Sequence, residues 1–180
     1  MKFTSLRLPE IMIIEPKIFI DDRGIFYETY NETIFKENVS NFFTYFVQDN
    51  YSQSNAGTIR GLHYQEKPYD QGKIISVNSG KIFDVAVDIR RNSKTYGQYV
   101  SEILSSSNKK QIWIPSGFAH GFMALEDNVE VSYKVTNFYS KPHERIINYK
   151  DPFINIQWPK HEKEYYLSKK DLNAPFLDSK

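Results

Sequence analysis

The amino-acid sequence predicts a mainly β fold, either a β-sandwich or a β-barrel, with a few short helices. Short runs rich in β-branched and aromatic residues recur along the chain, and turn residues such as Asn78-Ser-Gly80 and Pro115-Ser-Gly117 separate them. Apolar and polar residues alternate over 129–135, which is the pattern of a strand with one buried face.

Ten runs are predicted to be strands, because each combines strand-forming residues with a turn or loop signal. In chain order they span 11–15, 43–53, 58–65, 73–77, 81–90, 98–104, 111–114, 120–125, 130–137 and 146–149. A chain of 180 residues is long enough to bury a sizeable core, and we expect one domain over 1–180.

Two segments have the residues of short helices. The first spans 31–37, where Asn31 is a good N-cap and Phe35 can face the core. The second begins at Ser168, and Asp171 stands at the third position of a capping box. Pro175 ends it.

Composition excludes several classes of function. The formal net charge is +1, so no basic field indicates a nucleic-acid partner. The chain has no cysteine, which excludes disulfides and thiolate metal sites. Near the N-terminus the apolar run 11–14 is too short for a signal or membrane-spanning segment, so we expect a cytoplasmic protein without membrane contact.

Several polar side chains are predicted on apolar strand faces. Tyr133 alternates in phase with the valines of its strand, and Lys73 lies in phase with Ile75. Gln48 and Asn50 share a face with Phe46 in the same way. A β-barrel with polar groups on its inner face is expected to enclose a pocket.

Single residues leave their roles open. His63 and His120 lie in apolar strands, where each is either a hydrogen-bonded core histidine or a functional group, whereas His143 and His161 are expected at the surface. The sequence has no His-x-His, so a metal site is not favoured. Asp171 is explained by the helix cap alone.

Other candidates also have ordinary structural explanations. Arg23 and Glu28 could form a surface ion pair around a turn, Tyr133 could be a core tyrosine, and Lys73 could reach solvent along its stem.

Taken together, the motifs resemble one family. They are, in order, RGLHYQ, QGKII, KIFDVAVDIRRNSKTYGQY, QIWIPSGFAHGF, YKVTNFYSKPHE and LSKKDLNAP. This set resembles the dTDP-4-dehydrorhamnose 3,5-epimerase family. The resemblance implies a cupin-type β-barrel, or jelly roll, with no catalytic metal and no cofactor. It also implies an isomerase that inverts C3 and C5 of a nucleoside-diphosphate 4-keto sugar through an enolate, in the synthesis of cell-surface polysaccharides.

The resemblance implies a role for each residue that matches a family motif. His63 matches the base, Asp171 its orienting partner, and Tyr133 the acid on the opposite face of the sugar. Lys73 matches the residue at the keto oxygen and His120 a second sugar contact. The nucleotide-binding positions are matched by Arg23, Glu28, Gln48, Asp49, Asn50, Arg60, Tyr139, Glu144 and Lys170.

Arg60 presents a difficulty, because strict alternation places it on the face opposite His63. A bulge at Gly61, or a position at the strand mouth, would remove the conflict.

The sequence departs from the common family pattern at Thr58-Ile59, at Tyr51 and at Asn137, so the nucleotide and the sugar stay open. A GDP-linked 4-keto heptose is one alternative substrate. A 3-epimerase, a ketoisomerase and a non-catalytic nucleotide-sugar-binding cupin are alternative functions. We expect a homodimer, joined through the strand-like segments 12–15 and 17–20.

Overall fold

The computed structural model describes residues 1–39, 45–162 and 164–178. Within these ranges the chain forms thirteen β-strands and two short α-helices. The strands are β1 (Lys2–Ser5), β2 (Met12–Glu15), β3 (Phe19–Asp21), β4 (Gly24–Phe26), β5 (Gln48–Ser54), β6 (Ile59–Gln65), β7 (Lys73–Ser79), β8 (Lys81–Asp88), β9 (Tyr99–Ser105), β10 (Gln111–Ile114), β11 (Phe118–Ala124), β12 (Val129–Val135) and β13 (Glu144–Ile146). The helices are α1 (Glu32–Asn38) and α2 (Lys169–Leu172).

Two antiparallel sheets form the barrel. The larger has the strand order β1-β2-β10-β7-β12-β5, and the smaller has the order β13-β6-β11-β8-β9. Strands β3 and β4 pair only with each other, as a separate hairpin. Two facing antiparallel sheets are the jelly-roll form of a β-barrel. The predicted mainly β, cupin-type fold with a few short helices is therefore confirmed.

The main apolar core lies between the sheets. Ile75 and Val131 of the larger sheet join Ile82 and Phe122 of the smaller one in a single buried cluster. Burying each such side chain contributes roughly 1.5–3 kcal/mol of stability. Along β7 the inner face changes from Ile75 to Lys73, so the polar residues gather towards one end of the strand.

Both outer faces are also covered. Helix α1 buries Phe35 against the larger sheet, where its ring meets Trp113 edge-on at a centroid distance of 5.1 Å. The C-terminal segment covers the smaller sheet and packs Ile154 against Leu62. Neither helix, nor any other in the described ranges, is both long and apolar enough to span a membrane.

The helix signals were correct. Asn31 caps α1, because its side-chain oxygen accepts a hydrogen bond from the Ile34 amide at 3.2 Å. Ser168 caps α2 by accepting from the Asp171 amide at 3.0 Å.

Two strand predictions need comment. The run predicted over 43–53 begins outside the described residues, and its described part becomes β5. The run predicted over 146–149 is wrong beyond Ile146, since the Asn148 amide donates to Pro175 instead of to a strand neighbour. Strand β1 was not predicted, because its side chains are mostly exposed and lack a buried face.

Candidate active site

A cavity of about 160 Å³ lies at the polar end of the barrel. Strands β5, β6, β7, β12 and β13 and the loop after β12 provide its walls. The lining residues are Gln48, Asn50, His63, Tyr64, Gln65, Gln71, Lys73, Tyr133, Tyr139 and Glu144. All of these except Tyr64, Gln65 and Gln71 are candidates from the sequence, so the predicted pocket on the inner face exists.

The central feature of the cavity is a histidine–carboxylate pair. His63 lies on β6 and Asp171 in α2, and His63 Nε2 is 2.6 Å from Asp171 Oδ1. The His63 side chain is 34% exposed, whereas that of Asp171 is only 5% exposed. The imidazole is therefore held on one side by a buried carboxylate and open to the cavity on the other.

Asp171 lies in the first turn of α2, as predicted, but the hydrogen bond to the capping residue comes from its backbone amide and not from its carboxylate. The carboxylate is therefore free to bind His63. Burial raises the pKa of Asp171, but the hydrogen bond and charge of His63, together with hydrogen bonds from Ser168 and the Gly61 backbone, lower it below its usual value. An ionised Asp171 fixes the orientation of the ring and stabilises it when protonated.

Tyr133 stands on the opposite wall, because β12 belongs to the larger sheet and β6 to the smaller. Burial raises the pKa of its phenol, and the nearby charge of Arg60 opposes that shift in part. The phenol makes no hydrogen bond with any described residue, so its proton can be offered to a ligand. A neutral tyrosine facing an imidazole across a cavity can supply a proton to the second face of a bound molecule.

Lys73 is buried, with 8% exposure, and does not extend to solvent. It forms no hydrogen bond or ion pair with the described residues. Burial lowers the pKa of its ammonium to about 8, although the charges of Asp84 and Glu144 partly offset this effect. A buried cation of this kind is well placed to stabilise negative charge that develops on a ligand.

A second histidine–carboxylate pair lies beside the first. His120 on β11 is directly opposite His63 in the strand register, and its Nε2 is 2.8 Å from Asp84 Oδ2. Asp84 is fully buried, and its other oxygen has no hydrogen-bond partner in the described part of the chain. His120 does not line the cavity itself, but its ring is held from behind as that of His63 is.

Arg60 lies on the same face as His63. The register of β6 against β11 pairs His63 with His120 and Arg60 with Phe122, so two residues of β6, Gly61 and Leu62, lie opposite the single residue Gly121 of β11. This irregularity includes Gly61, so it agrees with the first of the two explanations offered for Arg60, a bulge at Gly61. The Arg60 guanidinium donates to Ser54 Oγ at 2.9 Å. Its charge is close enough to Tyr133 to lower the pKa of that phenol in part.

The outer end of the cavity carries a polar cluster. Tyr139 donates its phenol proton to Glu144 at 2.9 Å, and Lys170 lies 2.5 Å from the same carboxylate oxygen. Burial would raise the pKa of Glu144, but Lys170 and Tyr139 lower it. The cluster combines an exposed aromatic ring with charges of both signs, which suits a ligand with a flat polar ring.

Comparison with known proteins identifies the family of the chain. The family model described as dTDP-4-dehydrorhamnose 3,5-epimerase matches residues 5–179. The chain belongs to the dTDP-4-dehydrorhamnose 3,5-epimerase family. It is therefore an isomerase of the carbohydrate epimerase type.

Individual relatives extend over nearly the whole chain. A dTDP-4-dehydrorhamnose 3,5-epimerase from Shigella flexneri is 49% identical and the match covers 99% of this chain and 98% of the relative. The crystal structure of a dTDP-6-deoxy-D-glucose-3,5-epimerase from Legionella pneumophila, in complex with dTDP-4-keto-L-rhamnose, is 46% identical and superposes with a TM-score of 0.94 over 98% of this chain and 92% of that one. A 3'-monoepimerase from Streptomyces bikiniensis, in complex with dTDP-quinovose, is 30% identical with a TM-score of 0.89 over 96% and 86%.

Three of the site residues predicted for this epimerase lie away from the cavity. Arg23 is at the tip of the β3–β4 hairpin, exposed and paired with Asp21 at 2.6 Å, and Glu28 accepts from Asn31 at 3.1 Å. Asp49 points to the outer face of β5, since it alternates with Gln48 and Asn50, and it pairs there with Lys134. Within this chain none of the three lines the cavity.

Sequence reasoning missed several residues of this epimerase. Asp84 interrupts the apolar run of β8, which was a usable signal, and Gln65 follows His63 by two positions on the same strand face. His143 and His161, expected at the surface, are both partly buried. Within the described ranges no group of three or more His, Asp or Glu side chains could hold a metal ion.

Proposed function

We propose that this epimerase inverts C3 and C5 of a dTDP-linked 4-keto-6-deoxy sugar, in the pathway that makes activated rhamnose. The observation that carries the proposal is the His63–Asp171 pair facing Tyr133 across one cavity. The names of the relatives support dTDP as the nucleotide.

The chemistry follows from the positions of these groups. His63 takes the proton from the carbon next to the ketone, and the electron pair of the broken C–H bond moves into the enolate oxygen at C4. The Lys73 ammonium stabilises that oxygen. Tyr133 then delivers a proton to the other face of the same carbon, and solvent restores both residues. The substrate's own ketone accepts the electrons, so the proposed mechanism requires no cofactor.

The nucleotide end is proposed to lie at the polar cluster. Tyr139 would stack on the base, with Glu144 and Lys170 as further contacts and Gln48 and Asn50 near the ribose. Arg60, which shares the inner face, would bind diphosphate oxygens once its guanidinium leaves Ser54.

A reaction at C3 alone is the second candidate, because one similar structure is that of a 3'-monoepimerase. The two functions differ in a single observable. In heavy water we expect deuterium at both C3 and C5 of dTDP-4-keto-6-deoxyglucose, detected by NMR. Label at C3 alone would support the second candidate. Turnover of a GDP-linked 4-keto heptose but not of the dTDP sugar would contradict the proposed substrate, and no label in any sugar would indicate a binding protein.

The buried lysine leads to a pH prediction. Lys73 carries its charge below its pKa of about 8 and loses it above, so kcat/KM is expected to fall as the pH rises through about 8. Tyr133 does not cause this fall, because burial raises its pKa above the usual value. In Lys73→Arg, whose guanidinium stays charged, the fall is expected to move above pH 9. The same fall in the arginine variant would exclude Lys73 as its source.

We also propose a homodimer, through the second of the two predicted segments, 17–20, which leads into the β3–β4 hairpin, and not through 12–15. Strand β2 is paired on both sides, by β1 and β10, and so cannot add to a partner's sheet. The β3–β4 hairpin belongs to neither sheet and exposes Phe19, Ile20 and Phe26 by 51%, 80% and 68%. An apolar hairpin of this kind favours contact with a second copy. Arg23, at its tip, would then approach the second copy.

Sedimentation equilibrium at micromolar concentration is expected to give twice the chain mass of 21.2 kDa. The double variant Ile20→Asp with Phe26→Asp is expected to sediment as a monomer, because two carboxylates cannot be buried in an apolar contact. Ile103→Asp, which changes an exposed isoleucine on β9, is the matched control and should remain dimeric. A monomeric wild type would refute the proposal.

A further inference from the structure

The side chain of Tyr139 is largely open to solvent. It is 55% exposed and belongs to the loop that joins β12 to the 3-10 turn at Lys141–His143. One hydrogen bond, from its phenol to Glu144, holds the far end of the ring. The position of its Cα and Cβ atoms therefore depends on how the loop backbone is held.

Gln65 holds the backbone on both sides of Tyr139. Its side-chain amide nitrogen donates to the carbonyl of Phe138 at 3.1 Å, and its amide oxygen accepts from the N–H of Ser140 at 2.6 Å. The second hydrogen of the same nitrogen is directed to the carbonyl of Tyr69 at 2.6 Å. Gln65 is 7% exposed, so these bonds are largely shielded from water.

A glutamine is the side chain that this position requires. The site needs two donors for the carbonyls and one acceptor for the N–H, and a primary amide provides that set. Since both of its donor hydrogens are used by the loops, Gln65 lines the cavity without a hydrogen to offer a substrate. Gln48 makes a further hydrogen bond to the loop 138–140, because its side-chain oxygen accepts from the N–H of Tyr139 at 3.1 Å.

We propose that Gln65 is a positioning residue, which sets the ring of Tyr139 against the nucleotide base. The inference rests on the proposed function, in which Tyr139 stacks on that base. Gln65 stands two residues after His63 on the same face of β6. One strand thus fixes both the catalytic imidazole and the loop that carries the stacking ring, and the spacing between the two ends of the substrate is set by the sheet.

The test is a double-mutant cycle on nucleotide affinity. Gln65→Met keeps the length of the side chain and removes all three hydrogen bonds. Free dTDP is titrated by calorimetry into wild type, Gln65→Met, Tyr139→Ala and the double variant. We expect each single change to weaken binding about tenfold, and the double variant to bind no more weakly than Tyr139→Ala. The rate of deuterium incorporation at saturating substrate is expected to stay within threefold in Gln65→Met, while KM rises.

Two controls accompany the cycle. Gln157→Met, at an exposed glutamine whose side chain donates only to Asn155, is expected to bind dTDP as the wild type does. Gln65→Glu keeps the acceptor for Ser140 but places an oxygen against the two carbonyls, and it is expected to repeat the loss if the methionine variant does not fold.

The outcomes separate the two claims. If Tyr139→Ala weakens binding and both Gln65 variants do not, the positioning role is refuted and the stacking role stands. If Tyr139→Ala leaves the affinity unchanged, stacking is refuted, and a loss in Gln65→Met would then show that Gln65 acts without Tyr139. Losses that multiply in the double variant, or an equal fall in kcat, would also overturn the inference.

Discussion

Replacing His63 by asparagine is expected to abolish proton exchange at both C3 and C5, while the affinity for dTDP stays close to that of the wild type. The His63 imidazole lines this wall of the cavity and lies 2.6 Å from a buried carboxylate, and asparagine cannot take up a proton. General-base catalysis contributes typically 10²–10⁴-fold, so the rate is expected to fall by about that factor.

The measurement is NMR-detected deuterium incorporation, with calorimetry of dTDP on the same preparation. His161→Asn is the matched control, because His161 lies beside Gly57 and outside the cavity, and its exchange rate is expected to be that of the wild type. A His63→Asn variant within threefold of the wild-type rate would assign the base to another group. Loss of dTDP binding in the same variant would mean that His63 is needed for the fold of the site.

The inner face of the barrel could be predicted from the sequence because a strand has a period of two. That period alone places Tyr133, Lys73, Gln48 and Asn50 with the apolar residues of their strands, and all four line the cavity. The same rule predicts the wrong face for Arg60, because β6 has one extra residue between Arg60 and His63 and the alternation is reversed there. A bulge depends on the partner strand, and one sequence does not contain that information.

Contacts between distant residues were beyond the reach of pattern reasoning. The partners His63 and Asp171 are separated by 108 residues, and only the resemblance to a family linked them. Asp84 interrupts the apolar run of β8, but its partner, His120, lies on another strand, so the pair itself could not be predicted from the pattern. Arg23 and Glu28 match positions of the family motifs, yet they lie in or just after the exposed β3–β4 hairpin. Neither residue lines the cavity of its own chain.

Tyr133→Phe is expected to keep the exchange of substrate protons and to lose inversion. His63 can still remove a proton and return a deuteron to the same face, because the imidazole, Asp171 and Lys73 are unchanged. Without the phenol, the other side chains on the strands of that wall are Gln48 and Asn50, neutral amides that do not release protons, and Lys73, whose ammonium is proposed to stay on the enolate oxygen at C4. Formation of the inverted product is expected to fall by about 10²–10⁴-fold.

The decisive quantity is the ratio of inverted to retained product among deuterated molecules, which NMR couplings give directly. Tyr64→Phe is the control, because it removes a phenol from the strand that carries His63 and should leave the ratio unchanged. An unchanged ratio in Tyr133→Phe would require another acid on that wall. A parallel loss of exchange and inversion would place Tyr133 in the first proton transfer, which would contradict a mechanism with the base on one wall and the acid on the other.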